Sequence, residues 1–145
     1  MAVSGTKEFD IKAAPADVMA AIVAVDRLGE WSSAHKKVAI ESTHPDGRPN
    51  RVRMTVSVIG ITDEQVVDYT WEGDEKVTWT LVESSQQKQQ DGSYVLTANA
   101  DGSTHIVFDL IVDPKIPVPG FLVKKAQKTA LETASKGLTK FVESP

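Results

Sequence analysis

The stretch from Asp113 to Val142 limits what this chain can fold into more than any other part of it. Asp113-Pro114-Lys115-Ile116-Pro117-Val118-Pro119-Gly120 cannot continue a strand, because its prolines lack N–H donors and fix φ. From Phe121 the composition turns to helix formers, with no proline until the last residue. The spacing predicts one long helix, placed last, after a chain that otherwise reads mostly as strands. Its predicted inward side is Leu122, Ala126, Ala130, Thr133, Gly137 and Phe141, at steps of three or four residues, while Lys124, Lys128, Lys136 and Lys140 lie elsewhere. A helix flush on a sheet usually offers large aliphatics on that side. Small residues through its middle predict a space between helix and sheet, which we read as a ligand cavity.

Upstream, Thr6 to Lys12 alternates as a half-buried strand should, with Phe9 and Ile11 on one side. Ala14-Pro15-Ala16-Asp17 starts a helix, since proline suits the first turn and Asp17 complements the positive end of the dipole. Val18, Ile22 and Val25 form its apolar stripe up to Asp26, and Leu28-Gly29-Glu30-Trp31 reads as a second helical turn. Strands are predicted over Val38–Ser42, Arg51–Ile59, Thr62–Trp71, Lys76–Glu83, Ser93–Asn99 and Thr104–Asp113. Turns fall at His44-Pro45-Asp46-Gly47, Gly60, Gly73-Asp74, Asp91-Gly92 and Asp101-Gly102, and the glutamine-rich Ser84–Gln90 reads as strand end and loop. Hairpin spacing of these turns predicts an antiparallel meander, strongly twisted around the last helix.

At 145 residues and 41% hydrophobic, the chain is expected to form one domain over residues 1–145. No apolar run approaches the ~20 residues of a membrane span, and the N-terminus lacks a secretory apolar core, so a cytoplasmic location is expected. The absence of cysteine excludes disulfides, thiolate catalysis and cysteine–zinc sites. The net charge of −4 hides an acidic stretch at Asp63–Asp91 and a lysine-rich one at Lys115–Pro145, both read as solvated surfaces. Without arginine–aromatic interleaving, no nucleic-acid partner is expected.

Several pieces in this order resemble a known family: Ala13-Ala14-Pro15-Ala16-Asp17-Val18, Asp26-Arg27-Leu28-Gly29-Glu30-Trp31, Val77-Thr78-Trp79, Asp91-Gly92-Ser93-Tyr94, Gly102-Ser103-Thr104 and Pro117-Val118-Pro119-Gly120-Phe121. Over nearly its whole length the chain resembles the helix-grip superfamily of birch-pollen-allergen, START-type lipid-transfer and polyketide cyclase/dehydrase proteins. It is similar in particular to bacterial cyclase/dehydrase-like lipid-transport proteins and to coenzyme-Q-binding proteins. The resemblance implies an α+β fold in which a seven-stranded antiparallel sheet grips the C-terminal helix around an apolar cavity, with two short helices after the first strand. Members include carriers, enzymes and regulators, so the fold alone leaves function open.

Candidate ligand-binding residues follow from the predicted faces. They are the aromatics Trp31, Tyr69, Trp71, Trp79, Phe108 and Phe121, the strand aliphatics Met54, Val56, Leu81 and Leu110, and Leu122, Ala126 and Ala130 on the last helix. An amphipathic aromatic offers a flat apolar wall with one donor, although ordinary core packing is the competing reading for each. The resemblance places Trp31 near a cavity entrance. His35, His44 and His105 show no metal-ligand spacing and read as solvated. Asp109 points outward by alternation; Asp68 is opposite in phase to Tyr69 and Trp71 but shares the phase of Val66, and would become a site candidate if buried.

No Ser/His/Asp set, phosphate loop or metal motif is visible, and the predicted inward sets (Val52, Met54, Val56, Val58 and Thr104, Ile106, Phe108, Leu110, Val112) are nearly all apolar. The expectation is therefore a monomeric binder or carrier of a lipid, quinone or polyketide-like molecule, with no metal, cofactor or catalytic residue. The alternatives are a polyketide cyclase/aromatase, favoured by buried polar groups converging in the cavity, and a module acting on a chaperone or ribosome, favoured by a collapsed cavity. Ile116-Pro117-Val118-Pro119-Gly120-Phe121-Leu122, flanked by Lys115, Lys124 and Lys125, suits a transient membrane contact.

Overall fold

The computed structural model of the protein describes residues 2–115 and 117–144; Ile116, part of the expected membrane contact, lies outside them. β1 (Val3–Ile11) leads into α1 (Pro15–Val23) and a 3₁₀ turn (Val25–Glu30). Then come β2 (His35–Ile40), β3 (Arg51–Val58), β4 (Ile61–Glu72), β5 (Lys76–Ser84), β6 (Gln87–Ala98) and β7 (Thr104–Pro114). The chain ends in α2 (Gly120–Glu132), a π-helical turn (Thr133–Gly137) and α3 (Leu138–Glu143). One seven-stranded sheet runs β1-β7-β6-β5-β4-β3-β2, every neighbouring pair antiparallel. This is the sheet around a C-terminal helix that the resemblance implied.

Alternation sets which strand face is covered. Val52 and Met54 on β3, Val67 and Tyr69 on β4, Val77 on β5, Tyr94 and Leu96 on β6, and Ile106, Phe108 and Leu110 on β7 are buried together with Val18, Met19, Ile22, Val25 and Leu28 of the first helical segment. Ala134 and Leu138 complete this core from the C-terminal helix. Side chains at these positions share one concave face because successive strand residues point to opposite sides.

Three local readings are corrected. The chain leaves α1 at Ala24 (φ −74, ψ 60) and continues as a 3₁₀ turn rather than as α-helix to Asp26, which brings Val25 and Leu28 into the core. The C-terminal helix is not uniform: one extra residue per turn enters at Thr133–Gly137. Ser135 Oγ donates to the Leu131 carbonyl there, and Gly137 lies against the Trp31 carbonyl, where a Cβ would come within 2.5 Å of the oxygen. Ala134, Ser135 and Leu138 are buried here, while the expected inward positions Thr133 and Gly137 are half-buried.

The third correction bears on function. Asp91-Gly92 is no turn, and Gln87–Gln90 is no loop; both belong to the long strand β6. Gly92 pairs with Trp79 on β5, and the indole lies across its backbone so closely that a Cβ would sit 2.1 Å from the ring. Its missing side chain serves packing, not chain reversal. The reversals expected at Gly47, Gly60, Gly73 and Gly102 are present.

Candidate functional site

Between sheet and C-terminal helix lie two adjoining cavities of about 160 and 200 Å³. Val56, Val58, Gln65, Gln90, Leu110 and Ala130 border both. The first runs toward α1 and the 3₁₀ turn, reaching Ile22, Leu28 and Trp31; the second runs toward the proline segment and the start of α2, reaching Val118, Leu122 and Ala126. The small side of α2 therefore faces open space, as its sequence predicted.

The first cavity has an aromatic wall built by strand register. Tyr69 opposes Trp79, and Tyr94 opposes Phe108. Ring centroids are 5.9 Å apart for Tyr69–Trp79, 5.7 Å for Trp79–Tyr94 and 4.8 Å for Tyr94–Phe108, the range in which aromatic pairs attract. Gly92 makes the wall flat by letting the Trp79 ring lie on the neighbouring strand.

A buried chain of side-chain amides divides the two cavities. Trp79 Nε1 donates to Gln90 Oε1 (3.0 Å), and Gln90 Nε2 donates to Gln65 Oε1 (3.2 Å) and Gln87 Oε1 (2.9 Å). Gln87 Nε2 passes the chain on to Asp63 Oδ2 at 2.7 Å. Asp63, only 6% exposed, also accepts from the Ser84 and Ser85 hydroxyls and from the backbone N–H groups of Ser85 and Gln86. Its oxygens are so occupied that the carboxylate anchors the β5–β6 turn and offers nothing to a substrate.

Three polar groups in the first cavity behave differently. His35 borders it and shares a 2.6 Å hydrogen bond between Nδ1 and Ser32 Oγ. Burial lowers its pKa to about 4, so the ring is neutral near pH 7. Tyr69 and Tyr94 are 7% and 6% exposed, and neither hydroxyl has a hydrogen-bond partner among the described residues. Burial pushes both phenols above their ordinary pKa, and for Tyr94 the neighbouring Tyr69 adds to the effect. Neither hydroxyl is among the fully enclosed polar atoms, so both stay open to the space they border. Trp31 Nε1, by contrast, is fully enclosed and has no partner among the described residues, and its ring lies 6.4 Å from that of Phe141.

Ten of the residues expected to line the space do so: Trp31, Met54, Tyr69, Trp79 and Phe108 at the first cavity, Leu122 and Ala126 at the second, and Val56, Leu110 and Ala130 at both. Three lie elsewhere. Trp71 stacks on Tyr69 at 5.3 Å and donates to the Pro49 carbonyl, and Leu81 packs at the edge of the core; neither borders a cavity. Phe121 points outward, 72% exposed, because it falls on the side of α2 that carries Lys124, Lys125 and Lys128 and not on that of Leu122 and Ala126.

The reading of His35 as solvated is corrected, since β2 starts beneath the 3₁₀ turn and carries the ring inward. Asp68 faces outward in an ion pair with Arg51 at 2.8 Å, whose hydrogen bond holds its carboxyl below the usual range. His105 is on the outer face between Glu8 and Asp10, which raise its pKa, and Asp109 accepts there from Thr6. His44 is tied to the Tyr69 carbonyl. Gln65, Gln87, Gln90 and Tyr94 were not singled out by sequence, although alternation from Tyr94 backward through Gly92 to Gln90 carries the signal. Among the described residues no three histidine or carboxylate side chains gather as a metal site would require, and no helix is long and apolar enough to cross a membrane.

No curated protein matches the sequence. Solved structures share the fold over nearly the whole chain. A START superfamily protein from Mycobacterium smegmatis is 24% identical, with a TM-score of 0.88 and 97% of each chain covered. A protein from Thermus thermophilus is 20% identical, with a TM-score of 0.80 and 97% of each chain covered. The Zhui aromatase/cyclase from a Streptomyces species is 11% identical, with a TM-score of 0.78, covering 99% of this chain and 98% of its own. These likenesses are of fold; the sequence itself carries the family. The model of the polyketide cyclase / dehydrase and lipid transport family matches residues 2–143, and the chain belongs to that family.

Proposed function

We propose that this protein binds and carries a hydrophobic small molecule in the paired cavities between its sheet and its C-terminal helix, in the cytoplasm. One observation carries the reading: Ala126 and Ala130 hold open a space walled by Trp79, Tyr94, Phe108 and Leu110, and no side chain lining the first cavity is charged. Apolar walls with a few convergent polar groups are the usual composition of a small-molecule site. Burying ~200 Å² of apolar ligand surface contributes about 5 kcal/mol before association costs, consistent with micromolar affinity. Ala130→Trp fills the space common to both cavities. Its affinity for Nile red, an uncharged apolar dye, falls at least tenfold while its thermal midpoint stays within a few degrees of wild type. Undiminished dye binding in that variant places the site elsewhere. Mass spectrometry of protein isolated from its own source then identifies the compound it carries.

A cyclase reading has specific support as well, because buried polar groups do converge and a solved relative is an aromatase/cyclase. General acid–base work needs a group titrating near the working pH. His35 is lowered to about 4, Tyr69 and Tyr94 are raised, and Asp63 is saturated by donors. Binding is therefore the better match to the site. The open cavities, in turn, favour a carrier over a module acting on a chaperone or ribosome.

Ligand exchange at a membrane fits the rim of the second cavity. Ile61 borders it and is 39% exposed, Ile59 beside it at the β3–β4 tip is equally exposed, and Phe121 stands out from the opposite side. Lys124 and Lys125 are exposed, whereas Lys115 reaches back to the Ser84 carbonyl. Two lysines near an anionic surface contribute about 2 kcal/mol, enough for brief contact. Phe121→Ala combined with Lys124→Gln and Lys125→Gln slows Nile red transfer between phosphatidylserine vesicles at least threefold, with unchanged equilibrium affinity. Equal transfer rates exclude a membrane step.

A further inference from the structure

We infer that Tyr69 and Tyr94 form a hydrogen-bonding subsite that selects an uncharged ligand carrying an oxygen acceptor, such as a ketone, and rejects a carboxylate. The inference rests on the cavity-binding reading and narrows it to a chemical class. The two phenols are more than nine-tenths buried, border the first cavity, and have no hydroxyl partner among the described residues. Among the described residues the Gln65 and Gln90 amide oxygens and Gln90 Nε2 are engaged, while Gln65 Nε2 has no partner. Gln90 accepts from Trp79 and donates to Gln65 and Gln87, and Gln65 Oε1 accepts from Gln87 and Gln90. The tyrosines flank Trp79, with ring centroids 5.9 and 5.7 Å from the indole. Both phenols thus stand beside the indole at the wall that a ligand in the first cavity would meet.

Charge decides what the subsite takes. Protonated phenols donate, so they recognise an acceptor. A carboxylate would also accept, but it must shed its hydration, and among the described residues no lysine or arginine lines either cavity to replace it. The one charged group bordering the second cavity is Asp63, of like sign. His35 supplies no compensating charge, because its ring is neutral near pH 7. A site built around unpaired donors discriminates against analogues that leave them unpaired more strongly than an apolar pocket can.

Three ring-matched probes separate these effects: 2-acetylnaphthalene with an acceptor, 2-ethylnaphthalene without one, and 2-naphthoate with a charge. Affinities come from NMR chemical-shift titration at pH 7 of wild type, Tyr69→Phe, Tyr94→Phe and the double variant. The ketone is expected to bind about tenfold more tightly than the hydrocarbon and at least tenfold more tightly than the carboxylate. The double variant brings ketone and hydrocarbon within twofold of each other while both still bind, which also shows that the cavity is intact. Equal binding of ketone and hydrocarbon to wild type, an unaltered ratio in the double variant, or naphthoate binding as tightly as the ketone overturns the subsite alone. Failure of all three probes to bind overturns the cavity-binding reading, and the subsite with it.

Discussion

Gly92→Ala destabilises the protein by about 3 kcal/mol. Overpacking of a filled interior costs about 1–3 kcal/mol, and here the new Cβ lies 2.1 Å from the Trp79 ring. The indole cannot simply step aside, since Tyr69, Tyr94 and Phe108 pack around it at 5.9, 5.7 and 6.0 Å. Moving it also breaks its 3.0 Å bond to Gln90, worth about 1 kcal/mol. A double-mutant cycle isolates the cause. In a Trp79→Ala background the same substitution becomes neutral or slightly stabilising, because alanine outranks glycine in a strand interior by roughly 0.5–1 kcal/mol once the clash is gone. Urea unfolding of the four proteins reads both values. The same penalty in both backgrounds would remove Trp79 as the reason for the glycine. For a domain of this size 3 kcal/mol lowers the thermal midpoint by roughly 10 °C.

That glycine shows where sequence reading stops. Asp91-Gly92 has the composition of a turn, and local chemistry alone assigns it one. Its actual constraint is a tryptophan from the adjacent strand, 13 positions earlier in the chain, and a cross-strand packing demand leaves no mark on neighbouring residues. The glutamines of β6 were hidden for a related reason. Polar residues read as solvent-facing, yet Gln65, Gln87 and Gln90 bond to one another inside the sheet, and such pairing is a property of three dimensions. Alternation, by contrast, depends only on the strand period. It was enough to place Met54, Tyr69, Trp79, Phe108 and Leu110 on the cavity side, and the small residues of α2 were enough to indicate the space they face. Phe121 stands 72% exposed because the helical period sets it with Lys124, Lys125 and Lys128, away from Leu122, Ala126 and Ala130.

Two aspartates of β4 answer differently to removal. Asp68 reaches only Arg51, on the outer face with side chains 33% and 45% exposed, so Asp68→Ala costs less than about 1 kcal/mol. Asp63 lies five residues earlier and therefore on the opposite, concave face. Its carboxylate holds the Ser84 and Ser85 hydroxyls, the Ser85 and Gln86 N–H groups and the Gln87 amide. Asp63→Ala takes the acceptor from the buried Ser84 hydroxyl and from the half-exposed donors of the turn. A group left unsatisfied costs about 1–3 kcal/mol, and hydrogen bonds to a charge are the stronger kind, so a loss of about 3 kcal/mol is expected after partial relaxation. The damage then propagates: Gln87, released from Asp63, no longer fixes Gln90, and Gln90 orients the Trp79 indole that walls the first cavity. Stability and Nile red affinity therefore fall together in Asp63→Ala, while Asp68→Ala leaves both nearly unchanged. Faster hydrogen exchange at the Ser85 and Gln86 amides locates the first effect at the turn. If Asp63→Ala proves no more costly than Asp68→Ala, the buried amide chain neither supports the fold nor shapes the cavity.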